Sequence, residues 1–70
     1  TSIVMTVKKR GYRWYQVEKA TGLTCTRPGK RPGTRYFRDA DGEEWFGFLG
    51  CDTPGKPGYR QLMIAPNVPL

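Results

Sequence analysis

Ile3, Met5 and Val7 alternate with Ser2, Thr6 and Lys8 over residues 2–8. That period of two, rich in β-branched side chains, predicts a strand with one buried face, and Val4 is its one apolar exception on the polar side. The Gly-containing turn Lys9-Arg10-Gly11 leads into "YRWYQVEK", residues 12–19, which reads as the return strand of a hairpin. If Tyr15 and Val17 point to the core, the alternation puts Tyr12 and Trp14 on the outer face; the other reading of the same segment puts Trp14 in the core and Tyr15 at its rim. "LTC", residues 23–25, predicts a short strand. "TRYFRD" (34–39) and "EEWFGFLG" (43–50) flank "DADG", a strong turn signal in which Asp bonds its own backbone and Gly42 supplies positive φ. Trp45, Phe46, Phe48 and Leu49 occupy both faces of their segment, which predicts a central strand buried on two sides. "YRQLMI" (59–64) is the last expected strand. The Pro-punctuated "APNVPL" after it is not expected to continue a central strand.

No window carries a helical stripe of ten or more residues. Nine Gly and six Pro break the chain at intervals typical of an all-β meander or closed barrel. The expected architecture is a small single-domain β-barrel or a strongly twisted antiparallel meander of five to six short strands. The compact domain is assigned to residues 1–65 and a C-terminal tail to 66–70. A chain of 70 residues buries only about 60% of its unfolded surface, so the core must be thin.

One pattern occurs twice. Aligned on Cys25 and Cys51, the chain reads L-x-C-x-x-P-G-K-(R)-P-G-x-R at 23–35 and 49–60, with Arg31 as a single insertion. Pro followed by Gly is the signature of a type II turn, and two in succession make a stiff loop that loses little entropy on binding. If the loops leave equivalent points of the sheet, both project from one end. Arg27, Lys30, Arg31 and Arg35 then face Lys56 and Arg60, and the two cysteines meet at the loop bases.

Charge sharpens this picture. Residues 1–38 hold ten Lys or Arg against Glu18 alone, whereas residues 39–70 hold Lys56 and Arg60 against five acids. The net charge is +6. Such segregation points to a polyanionic partner. Tyr12, Trp14 and Tyr36 stand beside Arg13, Arg35 and Arg38, and aromatics interleaved with cations suit the stacking surfaces of single-stranded nucleic-acid binders. The candidate interface is therefore Arg13, Trp14, Arg27, Lys30, Arg31, Arg35, Tyr36, Lys56 and Arg60. Within it, Arg27, Lys30, Arg31 and Lys56 are assigned to phosphates, and Trp14 and Tyr36 to bases or sugars.

Catalysis is not expected. The chain has no His, so the commonest general base and metal ligand is missing. Two cysteines cannot complete a structural zinc site. An EF-hand count from Asp39 puts Gly50 where a Glu is required, so no metal or other cofactor is assigned. Cys25 and Cys51 read as two buried thiols or as one disulfide. No membrane-length apolar run and no basic-then-apolar leader is visible, which favours the cytoplasm.

Trp45-Phe46 and the later Gly55, Gly58 and Tyr59 resemble the adjacent aromatic pair and G-x-x-G-Y of an SH3 domain. The resemblance implies an SH3-like barrel. It does not extend to proline-peptide recognition, since Arg60 and Gln61 follow Tyr59 where that family has Pro. The function expected from all of this is nucleic-acid binding, to DNA or RNA, at low sequence specificity. The alternative is a protein-interaction module, a small inhibitor or adaptor of an acidic protein partner. Either would act as a monomer or weak homo-oligomer.

Overall fold

The computed structural model describes residues 2–68. Five strands, β1 (Ile3–Lys8), β2 (Thr24–Pro28), β3 (Thr34–Arg38), β4 (Glu44–Asp52) and β5 (Tyr59–Pro66), form one antiparallel sheet in the order β1-β5-β4-β3-β2. β2 to β5 are a meander built by tight turns. β1 lies at the far edge, against β5, and α1 (Trp14–Thr21) carries the chain from that edge to the other. The expected twisted meander of five strands is the form adopted. The barrel is not, because β1 and β2 remain separate edges of an open sheet.

The helix replaces the strand expected at 12–19. Trp14, Val17 and Thr21 fall at i, i+3 and i+7, one helical face, and Val17 is 1% exposed. Gln16 Oε1 accepts the Arg13 N–H at 3.3 Å, and Gly22, at φ 78°, closes the last turn with its N–H on the Glu18 carbonyl. The aromatic and β-branched composition favours a strand locally; the packing of Trp14 and Val17 on the sheet overrides that preference. Glu18 also blunts an edge, its carboxylate accepting the Cys25 N–H of β2 at 2.9 Å.

One sheet face is sealed by α1. Phe37, Leu62 and Ile64 are fully buried there, with Val7, Val17 and Leu23 around them. Full burial of each large side chain is worth about 1.5–3 kcal/mol. Gly47 lies under the Phe37 ring, and a Cβ on it would meet that ring at 2.9 Å and Ile64 at 3.2 Å. The ring therefore rests on bare backbone.

The other face is uncovered. Cross-strand register puts Val4, Met63, Phe48 and Thr34 in one row and Ala65, Phe46 and Tyr36 in the next. Two-sided burial of β4 is thus corrected: Trp45 and Leu49 pack beneath the helix, whereas Phe46 is half-buried and Phe48 is 39% exposed on the open side.

β5 also outruns its expected end, continuing to Pro66 opposite Trp45. The Asn67 N–H donates to the Glu44 carbonyl at 2.9 Å. Strand alternation then turns the Pro66 nitrogen away from β4, so its missing donor breaks nothing in that ladder. The remainder of the expected tail beyond Val68 lies outside the described residues. No helix among the described residues is long and apolar enough to cross a membrane.

Asp39 organises the far turn. Its Oδ1 accepts the N–H groups of Asp41 and Glu43, each at 2.9 Å, and its Oδ2 accepts the Trp45 indole N–H at 3.0 Å. The indole bond first, and the Glu43 backbone bond next, hold its carboxyl below the ordinary value of 3.8. A depressed folded pKa contributes stability that is complete above the ordinary value and lost as pH falls through the lower, folded one. Thermal midpoints measured in the acid range should fall more steeply for the parent than for Asp39→Asn. Equal acid slopes would show that the indole–carboxylate bond does not bias folding.

Candidate nucleic-acid interface

Strand direction decides where the loops go. β2 and β4 run parallel to each other, separated by antiparallel β3, so the β2–β3 and β4–β5 connections leave from the same end of the sheet. β1 is antiparallel to β5 and ends there too, delivering Lys9, Arg10 and Gly11. Three connections thus line one end, across five strands spaced about 4.8 Å apart, a row of about 19 Å. Each is tied to the sheet. The Leu49 N–H bonds the Gly33 carbonyl at 3.1 Å, and the Lys9 N–H bonds the Gly58 carbonyl at 2.8 Å.

The Pro-Gly turns form largely as their residues dictate. Gly33, Gly55 and Gly58 take φ of 78°, 75° and 84°. Thr34, Lys56 and Tyr59 donate back three residues to Arg31, Thr53 and Lys56 at 3.3, 3.2 and 3.2 Å. The second loop is accordingly two consecutive turns sharing Lys56. Pro28-Gly29 differs. Pro28 is the last residue of edge strand β2, where a missing N–H is tolerated, and the Gly29 N–H closes the hairpin on the Thr34 carbonyl at 3.1 Å.

The nine candidate residues separate into groups. Lys30, Arg31 and Lys56 are exposed in the loops at the shared end, and Arg13 is exposed where α1 begins. With Lys8 and Arg10, these side chains form no ion pair among the described residues. Asp52, the acid at this end, is engaged by Lys9 at 3.1 Å and Arg60 at 3.9 Å. Exposed pairs of this kind contribute little to stability.

The other candidates lie elsewhere. Arg60 braces the β4 bulge, its Nε donating to the Gly50 carbonyl at 3.1 Å. Arg35 is on the helix-covered face, half-buried, with its guanidinium 5.8 Å from the Trp14 ring. Trp14 itself is a correction. It packs on the core, 5.9 Å from Phe37 and 5.4 Å from Tyr12, rather than facing outward on a strand. Arg27 and Tyr36 occupy the open sheet face, the guanidinium lying 3.9 Å over the ring and pairing with Glu44 at 3.4 Å.

The thiols do not meet. Cys25 shares a cross-strand row with Phe37 and Trp45, whereas Cys51 lies six residues further along β4, beyond Leu49. Six strand residues are about 20 Å. Both cysteines are free, Cys25 half-buried and Cys51 exposed, so neither the disulfide nor the pair of buried thiols is formed. Burial, and then the Glu18 carboxylate, push the Cys25 thiol up, which leaves it a poor nucleophile.

Phe46 and Phe48 are the residues that sequence reasoning missed as surface groups. They continue the aromatic patch from Tyr36 across two rows, with ring centroids 4.9 Å apart for Tyr36–Phe46 and 6.3 Å for Phe46–Phe48. No family model, curated protein or solved structure matches this chain.

Proposed function

We propose that this chain is a small nucleic-acid-binding module of low sequence specificity, and that it meets phosphates with its basic end. The observation that carries the reading is the alignment of three connections, two of them stiffened by Pro-Gly turns, along one sheet end, where Lys8, Arg10, Lys30, Arg31 and Lys56 are exposed. Along the axis of a duplex each strand carries one phosphate per about 3.4 Å, so a row of about 19 Å laid along that axis spans about five phosphates of one strand. Contacts of this kind position a ligand without reading its bases. Cations that are already free cost no internal ion pair on binding.

Counterion release supplies the test. Engagement of about five phosphates predicts a log–log dependence of affinity on salt with a slope of about −4.5 on duplex DNA. Fluorescence anisotropy over a salt series measures it. Binding that ignores salt, or none at a low concentration of about 50 mM, where such contacts are strong, removes the proposal.

A further inference from the structure

The face opposite α1 has a composition that solvent alone does not explain. Val4 is 56% exposed, Phe48 39% and Met63 37%, and the three are adjacent in one cross-strand row. Phe46 and Tyr36 extend the patch by one row. Contiguous apolar surface on a domain of this size marks a contact site.

Its rim identifies the occupant. Cross-strand register places Lys8 and Tyr59 on the same face, toward the basic end, and the Lys56 ammonium sits 6.0 Å from the Tyr59 ring. At the β2 edge the Arg27 guanidinium lies over Tyr36. Glu44, the acid of this face, is already paired to Arg27. Partly exposed rings with cations on two sides and their acid neutralised are complementary to a chain of anionic charge that also offers flat apolar surfaces. Nucleic-acid bases stack on such rings when they are unpaired, and on arginine planes too. A duplex hides those base faces inside its own stack.

We infer that the open sheet face is a stacking platform for an unpaired nucleic-acid strand, whose bases lie on Phe46, Phe48 and the Arg27–Tyr36 pair while its phosphates run toward the Pro-Gly loops. The inference rests on the basic end binding phosphate, as proposed above, and adds strandedness and path. Stacking engages the base rather than the sugar, so DNA and RNA strands serve alike.

The experiment compares a labelled oligothymidylate with a duplex of equal length, against the parent and Phe46→Leu/Phe48→Leu. Leucine keeps apolar bulk on the sheet while removing the π faces. The parent should bind the single strand more tightly. In the variant that affinity should drop about tenfold or more, with duplex affinity and its salt slope unchanged. Photocrosslinking a bromouracil-substituted strand to the parent gives a readout independent of the variant's folding; adducts should map to residues 34–48 and Tyr59, and not to Trp14. Undiminished single-strand binding by the folded variant, or adducts confined to the loops, overturns the platform while leaving phosphate binding in place. Failure of the parent to bind either polymer overturns both readings. A parent dimer in light scattering that the variant loses gives the face to a second copy and likewise overturns the inference.

Discussion

Reversing charge at Lys30 and Arg31 together should cost this protein at least a hundredfold in duplex-DNA affinity at low salt. Both side chains are exposed at the tip of the β2–β3 connection and form no ion pair among the described residues. Each lost phosphate contact removes about 0.9 from the salt slope, so the slope should flatten by about 2. Repulsion by the new carboxylates adds to the loss. The reversal leaves the core untouched, and the circular dichroism spectrum and thermal midpoint should stay close to those of the parent. Net charge alone would also weaken binding, and Lys19→Glu separates the two effects. Lys19 is exposed on α1, away from the aligned connections, and its reversal changes net charge as much as Lys30→Glu does. Position predicts a large loss for Lys30→Glu and a small one for Lys19→Glu. Equal losses would mean that a diffuse field, rather than the loop end, attracts the polymer.

Phe37→Ala should remove about a third or more of the folding free energy. The ring is fully buried, rests on Gly47 and touches Trp14 from α1, so it joins the centre of the sheet to its cover. Truncating a buried Phe costs about 3–5 kcal/mol, partly through the cavity left behind. A domain of 70 residues, at about 0.05–0.15 kcal/mol per residue, has about 3.5–10 kcal/mol in total. At about 4–8 °C per kcal/mol, the thermal midpoint should fall by more than about 12 °C, and a parent at the low end of that stability range would leave the variant partly unfolded at room temperature. A drop of only a few degrees would show that the contact between helix and sheet is not organised around this side chain.

Much of the fold is legible in the chain because its turns are written in residues with narrow conformational preferences. "DADG", Pro32-Gly33, Pro54-Gly55 and Pro57-Gly58 each form a turn, and the strands between them follow. Once those turns exist, the antiparallel meander sends both Pro-Gly loops to one end, so the basic end could be anticipated. What could not be read locally depends on the helix. Tyr12, Trp14, Tyr15 and Val17 satisfy the alternation of a strand, and only the pairing of Gln16 at the start with Gly22 at the end signals the shorter period. That misreading propagates to the site. With α1 covering one face, Trp14 turns inward, and the face carrying Phe46 and Phe48 is left open. A run as apolar as Trp45-Phe46-Gly47-Phe48-Leu49 does not itself say which side is sealed. Arg35 and Arg60 follow the same logic, since their place beneath the helix or against the bulge depends on register across three strands.

The order of the strands has a consequence for synthesis. β5 is made last, yet it lies between β1, made first, and β4, and it supplies Leu62 and Ile64 to the interior. While a ribosome still holds β5, β1 has no neighbour to pair with and the β2–β4 hairpins have only half a floor. Assembly must therefore wait until β5 has emerged, and a nascent chain arrested before residue 59 should remain open to protease.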